Sequence, residues 1–230
     1  SGSKASHDAF DKTRAKQLAH AQGAQIALAH EIDTTSKEAI ADQLSSLLRE
    51  APRWVLKPNA DGSSQGLVHL KGREDVTAAV EQLSKLAIPY IAETFVEGRE
   101  LTVGVLDEPA GTAPLSVSEV LVEPSSSFDY QGKYLGRGST EITPARLTDD
   151  ERNAAQALAV LAHRAVGCEG YSRTDMILRP SGPVLIEINT LPGLTQASFF
   201  PQQLTASGKD FGQFLRWQLE LGRCRAQKQL

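Results

Sequence analysis

Apolar positions change period several times along the chain, and the changes mark out elements. Residues 6–22 read as one helix stopped by Gly23, a residue suited to the position after a helix end. Thr35 stands three residues before Glu38, a capping-box spacing, and Ile40, Leu44, Leu47 and Leu48 follow at helical intervals until Pro52. Residues 53–57 and 67–71 read as strands of a hairpin about a Gly/Ser loop at 61–66. A third helix spans 74–86 with Val76, Val80 and Leu83, and a strand over 90–95 is broken by Gly98. Strands follow at 101–106 and 116–123. Residues 124–144 are rich in Gly, Ser, Pro and Tyr without period, and so long a loop is usually functional or disordered. Thr148 to Glu151 is a second capping box, opening a helix with Leu158, Leu161, Ala162 and Ala165 on one face. After Gly167 come two strands, an irregular stretch and a last helix over 211–227. Strict βαβ alternation is absent, so the expected class is α+β in two lobes, residues 1–98 and 99–230.

Composition changes this picture little. The 230 residues are 40% hydrophobic with a formal charge of −4, which excludes an acidic tail, a collagen-like repeat and a coiled coil. A mildly acidic chain has no global field for nucleic acid, yet leaves room for a local basic site that binds a small anion. Cys168 and Cys224 form no CxxC pair, which reads as a reduced cytosolic protein with Cys168 a small buried side chain. No apolar run approaches the roughly 18 residues of a membrane helix, and residues 1–10 lack a signal-peptide core. The expectation is a cytoplasmic protein with neither a membrane nor a nucleic-acid partner.

The pair of strands at 173–178 and 184–189 carries the most chemistry. A turn centred on Ser181 with no bulge sets Asp175 opposite Glu187 and Arg173 opposite Asn189. Met176, Leu178, Val184, Ile186 and Ile188 then share the apolar face. Two carboxylates about 5 Å apart at Cβ repel each other. A divalent cation, Mg²⁺ or Mn²⁺, relieves that on an Asp/Glu/Asn oxygen set. Equally, Arg173 paired to a carboxylate on a solvated face would relieve it.

Three further stretches bear on this choice. The loop Asp61-Gly62-Ser63-Ser64-Gln65-Gly66 offers small residues and backbone N–H groups for phosphate oxygens, with Lys57 just before it as a point charge; an ordinary hairpin turn has the same composition. The loop also matches G-x-S-x-G, but a strand rather than a helix follows it, which disfavours a hydrolase elbow at Ser64. Neither a Walker loop nor HExxH occurs, so zinc is not expected. Residues 93–100 link the lobes, and Phe95 and Val96 could hold a planar base while Glu100 accepts from a ribose.

Five motifs in order resemble the ATP-grasp part of D-alanine–D-alanine ligases. They are Lys57-Pro58 with Gly62-Ser63-Ser64-x-Gly66; residues 97–103, EGRELTV; residues 128–134, FDYQGKY; residues 170–175, GYSRTD; and residues 187–195, EINTLPGLT. The resemblance runs from about Asp11 to Leu215 and implies an ATP-grasp fold, two α+β lobes closing on ATP. It implies that Lys12 and Lys57 contact phosphates, that the loop at Gly62, Ser63 and Ser64 covers them, and that Glu93, Thr94, Phe95 and Val96 bind adenine and Glu100 the ribose. Lys133 would reach the γ-phosphate from the long loop, and Asp175, Glu187 and Asn189 would hold two Mg²⁺ or Mn²⁺ ions. Arg173 and the Gly193 N–H would stabilise an oxyanion, Ser198 would place the second amino acid, and Ser63 and Tyr134 would join the network around the substrates. Tyr134 would favour an amine over a hydroxyl as second substrate. The implied reaction joins two D-alanines through an acyl phosphate, for peptidoglycan. The family often forms dimers. It also has an N-terminal lobe that has no counterpart here, leaving three readings: part of a longer protein, a separate partner chain, or a reduced relative.

Overall fold

A computed structural model describes residues 1–62, 66–86, 88–122 and 139–228. The chain opens with two helices, α1 (Ser3–Phe10) and α2 (Lys12–His20), where one was expected. The break lies at Asp11, whose extended backbone and side chain, accepting from the Arg14 N–H at 2.9 Å, restart the helix as an N-cap. Two short strands follow that the sequence pattern did not disclose, β1 (Gln25–Ile26) and β2 (Ala29–Ile32). Next is α3 (Lys37–Glu50), capped by Ser36 through the Ala39 N–H rather than by Thr35. β3 (Trp54–Pro58) and β4 (Val68–Leu70) form the expected hairpin, followed by α4 (Val76–Leu86) and β5 (Tyr90–Thr94). Then come β6 (Arg99–Glu108) and β7 (Gly111–Val122), longer than expected, and β8 (Ser139–Ile142) inside the stretch expected as loop. Residues 123–138, which include most of that loop, lie outside the described residues. The expected capping box opens α5 (Asp149–Ala165). β9 (Tyr171–Arg179) and β10 (Gly182–Asn189) follow, then α6 (Phe199–Ala206) in the expected irregular stretch, and α7 (Phe211–Lys228).

Two sheets result. The four-stranded sheet runs β2-β5-β3-β4, and α3 and α4 cover it with a core of Ile40, Leu44, Leu47, Trp54, Leu56 and Leu83. The six-stranded sheet runs β1-β10-β9-β6-β7-β8. α5 and α2 pack on it around Leu101, Val103, Met176, Leu185 and Ile188, while Phe200, Leu204 and Phe214 seal another part. β1 pairs with β10, so the residues before 27 belong by contact to the large sheet although they precede the small one. The chain therefore passes between the sheets at residues 27–28 and again at 95–98. These passages lie side by side, with the Thr94 N–H donating to the Leu28 carbonyl at 2.9 Å.

The hairpin of β9 and β10 keeps the expected partners at its open end, Asp175 with Glu187 and Arg173 with Asn189, but by another route. Its turn is Pro180-Ser181, and a bulge between Leu185 and Glu187 absorbs one residue. The bulge reverses the facing of what precedes it: Leu185, opposite Met176, enters the core, and Ile186 turns into the cleft between the sheets. The apolar face read from alternation is corrected at this position.

Candidate active site

The two sheets face each other across a cleft. Val55 and Lys57 reach it from alternate positions of β3. Glu93, Thr94, Phe95 and Val96 line it from the end of β5 and the passage beyond, and Glu100 from β6. Asp175, Ile177, Ile186 and Glu187 form its other wall, and Lys12, Asp61 and Gly62 close one end. The wall is thus apolar in the middle and charged at the Lys12 end. The Phe95 ring is flanked by the Arg53 guanidinium, 3.7 Å from its centroid, and by the His69 ring, with 6.3 Å between centroids.

Lys12 stands at the start of α2 and donates to the Asp61 carbonyl at 2.6 Å. Its place is fixed by Asn59 after β3. The Asn59 side chain accepts from the Thr13 N–H at 2.9 Å and hydroxyl at 3.0 Å, and donates to Asp11 at 3.0 Å. Burial lowers the Lys12 pKa, Lys57 adds to the effect, and Glu187 opposes it. One turn further along α2, Lys16 is buried and donates to Glu93 Oε1, while Lys57 binds Glu93 Oε2 at 2.9 Å. Burial presses the Lys16 amine down to about 7, reinforced by Lys57. The same burial would raise Glu93, but Lys57 and Lys16 outweigh it and hold the carboxyl below its ordinary value. Sequence reading missed Lys16, Asn59 and Arg53. For Lys16 a signal existed, because it lies four residues after Lys12 and so on the same helix face.

A second cavity adjoins the first at Lys12, Asp61, Gly62 and Glu187, and continues past Arg173, Asn189 and Phe10. Here Arg173 grips Asp175 with two bonds of 2.8 Å, and Thr102 donates to the same carboxylate at 2.6 Å. The side chains of Arg173 and Asp175 are 18% and 10% exposed, so this face is not the solvated one weighed above, although the ion pair is present. The Asn189 side-chain oxygen accepts from the Leu191 N–H at 3.0 Å. Among the described residues no three His, Cys, Asp or Glu side chains cluster as a metal site; Asp175 and Glu187 are paired across the strands, and Asn189, an amide oxygen, follows two residues after Glu187 on the same strand. Gly193 and Ser198 come together, since a Cβ on Gly193 would meet the Ser198 hydroxyl at 2.7 Å, and that hydroxyl bonds Thr195 at 2.8 Å. Neither residue lines either cavity. Ser63, Ser64, Lys133 and Tyr134 lie outside the described residues.

Two α+β lobes with a basic and acidic cleft between their sheets define the ATP-grasp class. The profile described as D-ala D-ala ligase C-terminus matches residues 17–219, and the chain belongs to that family. It is 36% identical over 96% of its length to the D-alanine--D-alanine ligase of Leptospira interrogans, and covers 64% of that protein. It is 35% identical over 97% of its length to that of Sinorhizobium fredii, covering 71%. Among solved structures it is similar to the D-Ala:D-Ser ligase of Enterococcus faecalis, with a TM-score of 0.80 and 30% identity over 93% of this chain and 61% of that one. The chain thus spans about two thirds of the length of these relatives. None of its described helices is long and apolar enough to cross a membrane.

Proposed function

We propose that the chain is the nucleotide-binding and catalytic part of an ADP-forming carboxylate–amine ligase that joins two D-alanines for peptidoglycan in the cytoplasm. One observation carries this reading: Lys12, Lys57, the 93–96 passage, Glu100 and the Asp175/Glu187 pair line a single cleft, and Arg173 stands in the adjoining cavity. The apolar middle of the cleft suits adenine, with Glu93, Thr94, Phe95 and Val96 around the base and Glu100 on the ribose. Lys12 and Lys57 hold phosphate oxygens, the loop at Gly62, Ser63 and Ser64 covers them, and Lys133 reaches the terminal phosphate. The second passage between the lobes ends at Gly98, while residues before 27 pack on the sheet of the lobe that follows it.

The oxygen donors of Asp175, Glu187 and Asn189 fit a hard cation, and these residues would hold Mg²⁺ or Mn²⁺, two ions in all, neutralising phosphate charge. In the reaction one D-alanine carboxylate takes the terminal phosphoryl group of ATP, releasing ADP. The amine of the second D-alanine attacks the acyl carbon and loses a proton, and phosphate leaves. Arg173 and the Gly193 N–H stabilise the oxyanion formed on attack. Ser198 places the second amino acid, and Ser63 and Tyr134 orient the pair. The similarity to a D-Ala:D-Ser ligase supports a second reading, a different amine at the second position.

ADP release from ATP and Mg²⁺, with D-alanine alone or with D-serine, and mass detection of the product, tests both. D-alanine-dependent release with D-alanyl-D-alanine supports the first reading, and a mixed product the second. ATP binding without turnover assigns the remaining need to a further lobe or chain. Absence of ATP binding overturns the proposal.

A further inference from the structure

One buried charge behind the cleft, Lys16, has no part in the chemistry above. Glu93 is clasped by two lysines, each on its own carboxylate oxygen: Lys16 of α2 on Oε1 and Lys57 of β3 on Oε2. The Lys16 and Glu93 side chains are each 4% exposed, and that of Lys57 is 10% exposed. Lys57 lines the cleft and Lys16 does not. Lys57 therefore faces two claims, one from a carboxylate it already holds and one from the phosphates it is to bind. Were Lys57 the only partner, its turn toward phosphate would strand a buried carboxylate, which is strongly disfavoured.

We propose that Lys16 is a positioning residue, the standing counter-charge of Glu93, whose ion pair frees Lys57 to move from that carboxylate to the nucleotide phosphates. The inference rests on the nucleotide reading of the cleft. Lys16 itself touches no nucleotide. Its effect is to leave two cations for one carboxylate, so that a phosphate does not compete with Glu93 for the only one. Besides Lys57 and Glu93, the charged group that acts on Lys16 is Glu187 of β10.

The test measures MgATP and adenosine binding by calorimetry or competition in the wild-type chain, Lys16→Met, Glu93→Gln and the double variant. Lys16→Met is expected to weaken MgATP about tenfold or more, because the lone buried pair holds Lys57. Adenosine, which has no phosphate, should change less than about threefold. In the Glu93→Gln background the same substitution should cost MgATP less than about threefold, because no carboxylate then holds Lys57. If Lys16→Met does not fold, the comparison of Glu93→Gln with the double variant, neither of which leaves a buried carboxylate, still decides. Equal losses for MgATP and adenosine, or the same loss in both backgrounds, would mean that Lys16 only props the fold and would overturn the inference. A wild-type chain without affinity for MgATP would overturn the nucleotide reading itself and the inference with it.

Discussion

Single residues show how closely the large sheet is tied to its surroundings. Gln203 of α6 is fully buried and accepts from the Gly104 N–H at 2.8 Å while donating to the Thr102 carbonyl at 2.8 Å and the Ser118 hydroxyl at 3.0 Å. It fills the break where the pairing of β6 with β7 shifts between Val103 and Val105. A Cβ on Gly104 would stand 2.8 Å from the Gln203 side chain and 2.9 Å from Leu115, so only glycine fits there. Gln203→Leu strands these partners and should lower stability by about 2–5 kcal/mol, read from urea unfolding. Asp107 tests the acid side. Its carboxyl accepts from the Gly170 N–H at 2.8 Å and the Thr112 hydroxyl at 2.7 Å, with His163 at 3.4 Å. Burial opposes ionisation, but these partners outweigh it and hold the pKa at about 2 against an ordinary 3.8. A depressed carboxyl stabilises the fold above the unfolded value, and the contribution is lost as pH falls from about 4 toward 2. Asp107→Asn should therefore be less stable than wild type at pH 7, with the gap narrowing through that window in denaturant midpoints taken at several pH values. Neither residue stood out in the sequence, because a buried Gln or Asp is marked by its partners, which lie far along the chain.

At the scale of elements, what was legible depended on whether the signal was local. The capping box before α5, the β3–β4 hairpin and the partners at the open end of β9 and β10 all appear as expected. The two-residue β1 and the short β2 did not, because strands of that length carry no period and exist through pairing with β10 and β5. The bulge at Ile186 was equally hidden, since alternation alone favours an unbroken strand. It decides which side of β10 looks into the cleft. Deleting Ile186 leaves Leu185 opposite Met176 and Glu187 opposite Asp175 in unbroken alternation, so both keep their faces and only the side chain that enters the cleft is lost. Ile186→Ala removes only part of a half-buried side chain and should cost about 1 kcal/mol. The deletion should therefore fold and cost about 1–3 kcal/mol, as measured by circular dichroism and urea titration, and loss of folding would show that the bulge itself holds the strand in place. The site was legible to a similar degree. Lys57, Glu93, Glu100, Asp175 and Glu187 were singled out in the sequence and do share one cleft, whereas Lys16 and Thr102 act on Glu93 and Asp175 from other elements.

For the whole molecule, the side chain of Asn59 is one polar clasp between α2, which belongs to the large sheet, and the small one, beside Lys12 on the Asp61 carbonyl and Lys16 on Glu93. Asn59→Ala removes its bonds to Asp11 and Thr13 and should weaken the docking of α2 by about 1–3 kcal/mol. Hydrogen exchange at the Thr13 amide is expected to quicken while the centre of β6 stays protected. Equal exchange throughout would show that the Asn59 side chain is not needed to hold α2. The neighbouring passages between the sheets have a mechanical meaning of their own. Two cords knotted together at one place resist stretching but permit turning, and the Thr94–Leu28 bond makes the passages at 27–28 and 95–98 such a knot. In a swing of one sheet against the other, a point travels in proportion to its distance from the pivot. In such a swing Glu93 and Phe95, next to the knot, would keep their spacing to Glu100, and the greatest travel would fall to the residues farthest along the cleft. A jaw built this way keeps its grip geometry constant at the root and varies its gape at the tip.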